Sequence, residues 1–159
     1  MSGKLKEKAL RPEIEAASNS SQPRETGVID LTKKFDERIL LSLQAAGEKK
    51  AAELTVLDLR DIASFTDFFV IASGANKRQV QAISDEVVEQ LKRSGTRAAR
   101  VEGYQNAEWI LVDYGDFIVH VFDHKARRFY DLERLWREAK RVDVSTVQVE
   151  QVGSLRTES

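Results

Sequence analysis

The only two histidines of the 159-residue chain fall in one short segment, "HVFDH", which sets His120, Asp123 and His124 close together. A metal centre needs three or four converging ligands. The apolar run before Asp123 reads as a strand, so His120 lies inside it and His124 falls past its end, in a charged loop. The three side chains then diverge, and His120 reads as a structural histidine. Nucleophilic catalysis has no better footing: there is no cysteine, no Gly-x-Ser-x-Gly elbow and no serine with an evident histidine partner. Ser73-Gly74 sits between a strand and a helix N-terminus, where free N–H groups favour an anion. It lacks the further glycines and the lysine of a phosphate-binding motif, and turn chemistry is the simpler account. A nucleotidyl-transfer centre would follow a Gly-Ser-type turn, about ten residues on, with paired carboxylates holding two metal ions. Asp85 and Glu86 have that spacing from Gly74. On a helix, however, adjacent residues point about 100° apart, so the two carboxylates do not face one metal pair. A solvated helix face explains them.

The elements that position these residues follow from periodicity. Residues 1–29 hold both prolines and the Ser/Asn/Gln-rich "ASNSSQPRETG", which predicts a flexible extension. Asp30 is placed to cap a helix through about Glu48, with Phe35, Ile39, Leu43 and Ala46 on one stripe. "LTVLDL" and Phe68 to Ser73 ("FFVIAS") read as strands, the second apolar enough to be covered on both faces. Asn76 and Gln79 form a capping box for a helix that buries Val80, Ile83, Val87 and Leu91 and stops at Gly95. A short strand at Ala98 to Val101 precedes a hairpin, Trp109 to Asp113 and Asp116 to Phe122, turned by Asp-Tyr-Gly-Asp. A last helix, capped by Asp131, is expected to bury Leu132, Leu135, Trp136 and Ala139. Residues 142–159 read as an irregular tail, although "VDVSTVQVEQV" alternates well enough to add an edge strand. The sum is a single α/β domain over residues 30–141, with about five strands in a mixed sheet and flanking helices.

Bulk composition narrows the classes further. A hydrophobic fraction of 42% supports one sizeable core. The longest apolar runs are far short of a membrane span. The N-terminal segment lacks an apolar signal core and carries Glu7, Glu13, Glu15 and Glu25, which argues for a cytoplasmic protein rather than an imported one. A net charge of −1 gives no global pull toward nucleic acid, so charge must act locally.

Locally it is strongly sorted. From Val101 to Asp123 there are five acids, no lysine or arginine, and five aromatics including Trp109 and Tyr114. The following "HKARRFYDLERLWREAKR" carries seven basic residues against three acids. In the first hairpin strand one face must enter the core, and Ile110 with Val112 is the better candidate. Trp109 and Leu111 then lie beside acids on the other face unless a helix covers them. Two readings stand: an exposed aromatic, acidic interface, or ordinary core with acids that solvate the turns. The basic tract reads as a solvated helix face, with RNA contact as the other option.

"TDFFVIASG", "EGYQNAEWILVDYGDFIVHVF" and "RRFYDLERLW", in this order and spacing, resemble the ribosomal silencing factor (Iojap) family from about Phe35 to Arg141. Asn76 stands where the family usually has a serine, and Phe68 where a tyrosine is common. The resemblance implies a non-enzymatic translational repressor with a nucleotidyltransferase-like core that lacks catalytic residues, and no cofactor. It implies binding to the large ribosomal subunit, chiefly its protein uL-fourteen, and steric block of small-subunit joining when nutrients are short. Trp109, Leu111, Asp113, Tyr114, Gly115 and Asp116 become the expected partner-binding residues, with peripheral ribosomal RNA contact and a homodimer left open. The alternative is a nucleotide-binding or nucleotidyltransferase-like enzyme on the same fold.

Overall fold

A computed structural model of the chain describes residues 36–144. The expected extension over residues 1–29, the proposed cap at Asp30 and residues 145–159 lie outside the described residues. The first described helix, α1 (Glu37–Glu48), starts later than the expected Asp30-capped one: Asp36 is extended and caps it, its carboxylate accepting from the backbone N–H groups of Arg38 and Ile39. Strands β1 (Ala52–Asp58) and β2 (Phe68–Gly74) follow, then α2 (Lys77–Arg93), β3 (Arg100–Glu102), β4 (Trp109–Asp113) and β5 (Phe117–Asp123). Two short helices, α3 (His124–Tyr130) and α4 (Leu132–Leu135), lead into β6 (Lys140–Val144).

The strands form one six-stranded mixed sheet in the order β3-β4-β5-β2-β1-β6. The central β2–β5 pair is parallel and every other pair is antiparallel. This explains why β2 is apolar along its length: it is central, and both of its faces are buried. One face packs Val56, Val70, Val119 and Ile110 against Ile39, Leu43, Val80, Ile83 and Val87 of α1 and α2. The other packs Phe69, Ile71, Trp109, Leu111 and Phe122 against Ala126, Leu132 and Trp136 of the segment after β5, with Phe65 of the β1–β2 connection beside them. The result is three layers around two cores.

Helix α2 behaves as its sequence predicts, burying Val80, Ile83, Val87 and Leu91. Asn76 accepts from the N–H of Gln79 at 2.9 Å. Gln79 reaches back to the N–H of Ala75 rather than that of the cap, and its amide donates to the carbonyls of Lys49 and Lys50. Beyond the last turn, Gly95 has φ +100°, and the N–H groups of Gly95 and Thr96 return to Lys92 and Leu91 in a Schellman motif.

The region after β5 departs from expectation. The "charged loop" holding His124 is helix α3, capped by the Asp123 carboxylate on the N–H of Ala126 at 2.7 Å. Asp131 does not cap a long helix: it sits in left-handed conformation, φ 49°, makes no side-chain cap bond, and only Leu132–Leu135 follow as helix. Leu132, Trp136 and Ala139 are buried as expected, and Leu135 is half-buried. The chain then becomes edge strand β6 against β1, which makes the sheet six-stranded and moves its start ahead of the predicted tail. Among the described residues no helix is long and apolar enough to cross a membrane.

Candidate interaction surface

The β4–β5 hairpin forms as predicted, with Trp109 opposite Phe122 and Leu111 opposite His120. Its corner is tightly built. Asp113 Oδ1 accepts from the Gly115 N–H at 2.8 Å, and Gly115 itself has φ +89°, which glycine adopts without strain. Thr66 Oγ1 donates to the Gly115 carbonyl at 2.9 Å, and the Asp67 N–H donates to the Asp116 carbonyl at 2.9 Å. The end of the β1–β2 connection therefore holds the turn in place from outside the hairpin.

Exposure divides the six expected contact residues. Gly115 and Asp116 are exposed and Asp113 is partly so. Trp109 and Leu111 are only 4% and 3% exposed, so of the two readings of this strand the covered core holds, and neither side chain is an open contact surface. The segment of α3 and α4 covers their face, so both faces of β4 are core. Trp109 packs 4.5 Å from Tyr130 and 5.1 Å from Phe122. Tyr114 is buried too, stacked on Phe117 at 4.8 Å. Burial pushes its hydroxyl up to about 12, and that hydroxyl has no hydrogen-bond partner among the described residues. The acids are also engaged. Arg38 donates to Asp116 at 2.6 Å and to Asp36 at 2.9 Å, and lies over the Phe117 ring. Arg100 reaches Asp113 at 3.2 Å. The two arginines come from α1 and β3, distant in sequence, and only the pairing of strands and helices brings them to the corner.

The other chemistry-capable residues serve packing. His120 is 1% exposed; its Nδ1 accepts from Trp109 Nε1 at 3.0 Å, which leaves the ring proton on Nε2. Burial, helped by the charge of Arg127, pulls its pKa down to about 3, so the ring is neutral. His124 instead lies 3.6 Å from Glu53. Ser73 is fully buried and accepts from Arg127 Nη1 at 2.8 Å. A Cβ on Gly74 would meet Val80 at 3.0 Å, so this glycine admits α2 close to the sheet rather than cradling a phosphate. Asp85 accepts from the Tyr104 hydroxyl and Glu86 from Gln90, both from helix α2. Arg127, expected on a solvated face, is 6% exposed and pairs with Glu133 while bonding Ser73 and Thr55. The basic composition of its surroundings hid that role.

These features describe a three-layer α/β domain whose polar residues mostly lock elements together and whose charged corner and helices face outward. The family model for "Ribosomal silencing factor during starvation" matches residues 32–159. The ribosomal silencing factor RsfS of Halalkalibacterium halodurans is 39% identical over 111 residues, 70% of this chain and 95% of that protein. That of Bacillus subtilis is 37% identical over 112 residues, 69% of this chain and 95% of that one. A mouse protein named mitochondrial assembly of ribosomal large subunit protein 1 is 31% identical across 65% of this chain, which spans 46% of its length. A crystal structure of a Bacillus halodurans protein superimposes with a TM-score of 0.62 at 37% identity, covering 69% of this chain and all of that one. The chain belongs to the ribosomal silencing factor family.

Proposed function

We propose that the protein binds the large ribosomal subunit in the cytoplasm, chiefly through protein uL-fourteen, and represses translation by standing where the small subunit must dock. Membership of the silencing factor family carries this reading. The corner at Asp113, Gly115 and Asp116 supplies the contact: its carboxylates are held by a hydrogen-bonded turn and complement a basic ribosomal protein. Trp109, Leu111 and Tyr114 act from beneath, as the packed base that keeps the corner rigid.

Co-sedimentation with isolated large subunits, followed by challenge with small subunits, tests the proposal. Replacing Asp113 and Asp116 together by Asn keeps the turn acceptors but removes both charges. Losing charge-assisted hydrogen bonds of about 1.5–3 kcal/mol should weaken binding by about tenfold or more and restore subunit joining. The variant's melting temperature should stay near that of the native chain. Trp109→Ala should instead cost about 3–5 kcal/mol of stability, as expected of a large buried side chain. Native-like subunit binding by the double variant would move the contact off this corner.

A further inference from the structure

We infer that the outer face of α3, α4 and the start of β6 is a docking surface for RNA. Between residues 124 and 144 the exposed positions are Lys125, Arg128, Phe129, Arg134, Arg137 and Lys140: five cations and one aromatic. The acids of the same segment are ion-paired or half-buried. Glu133 is paired with Arg127, Asp143 with Arg141, and Asp131 and Glu138 are half-buried. A tract that looks mixed in composition therefore presents an outer surface dominated by cations. Glu53, which faces His124, and Glu108, whose carbonyl accepts from the Asp123 N–H, mark its limit at the start of α3.

The aromatic is placed for stacking. Lys125, Arg128 and Phe129 fall at i, i+3 and i+4, so they share one strip of α3. Phe129 is 70% exposed, yet its ring meets Tyr130 edge-on at 4.9 Å, and Tyr130 in turn packs 4.5 Å from Trp109. The protruding ring thus stands on a buttress that reaches the core. Cations neutralise phosphates and release counterions, and a fixed aromatic face receives an unstacked base. RNA offers both groups together. An anionic membrane would use the charges, but interfacial insertion takes a continuous apolar helix face, and this surface offers a single exposed ring.

The inference rests on the ribosome-binding reading only for where the RNA is met. Binding of the full chain to a fluorescent RNA stem–loop, across a series of salt concentrations, tests it directly. The triple variant R128Q/R134Q/R137Q should bind weakly, with the log–log salt slope reduced by about two to three. Phe129→Ala should lose about tenfold in affinity and leave the slope unchanged. All these sites are exposed, and matching thermal melts confirm that the variants fold. Wild-type affinity and slope in the triple variant would overturn the proposal. So would failure of the native chain to bind RNA, or preference for phosphatidylserine vesicles over RNA. RNA binding of the expected kind by a chain that ignores large subunits would keep this surface and reject the silencing reading. Large-subunit binding with no RNA affinity would do the reverse.

Discussion

His120 shows how one buried ring turns solvent pH into stability. Its folded pKa is lowered to about 3 by burial, while the unfolded chain takes up the proton near 6.5. A lowered folded value means that the unfolded state binds more protons as pH falls below about 6.5, so the contribution is full above that pH and declines toward pH 3. Stability should fall by about 1.4 kcal/mol per pH unit below the unfolded value, in a window where most carboxylates are still ionised. Denaturant titrations between pH 7 and pH 5 check this (roughly the upper part of the window). His120→Leu should flatten the dependence, and it should also lower the neutral-pH stability because Trp109 Nε1 loses its acceptor. A pH dependence that survives the substitution would assign it elsewhere.

Among the elements, the segment after β5 is held by the buried Arg127–Glu133 pair, which also ties to Ser73 of β2 and Thr55 of β1. Removing one partner strands a buried charge. Glu133→Ala should therefore cost about 3–5 kcal/mol, whereas Arg127→Met combined with Glu133→Leu should cost less than that single change. Equilibrium unfolding of the two variants measures the difference; a double variant as unstable as the single one or more so would overturn this account of the pair. The same segment shows where local pattern misleads. "HKARRFYDLERLWREAKR" reads as a charged loop followed by one helix, because its charges mask the Ala126 and Tyr130 contacts with the sheet. What forms is two short helices around a left-handed Asp131, so that Leu132 and Trp136 reach the second core and the chain returns in time to pair β6 with β1. By contrast the span of α2 was legible, since its cap, stripe and terminating glycine all agree on one helix, although Gln79 bonds Ala75 rather than the cap.

Across the whole molecule the acidic corner and α3 stand at opposite ends of β5, seven residues or about 23 Å at ordinary strand rise. The basic segment then returns, so that Lys140 pairs with Asp58 at the corner's end of the sheet. At one end the corner acids carry their own counter-cation, Arg38, shared between Asp36 and Asp116. A basic partner must displace or share that guanidinium. Arg38→Gln should then speed association with large subunits severalfold at low salt and steepen its salt dependence. Its exposed ion pairs are worth about 0.2–1 kcal/mol, so stability should change little. Rapid-mixing kinetics decide the point, and unchanged association would mean Arg38 is no competitor for the corner.

By itself the sequence determined the α/β class, α2, the hairpin with its Asp-Tyr-Gly-Asp turn, and the family, because these depend on local periodicity, turn chemistry and motif order. Only the tertiary structure decided which charged and aromatic groups meet solvent. Trp109 and Leu111 alternate as a solvent face would, yet a helix from further along the chain covers them. Arg127 and Arg128 are neighbours of one residue type, yet one is buried on Ser73 and the other exposed. Burial is set by which segments return across the sheet, and that is a long-range property no window of sequence contains.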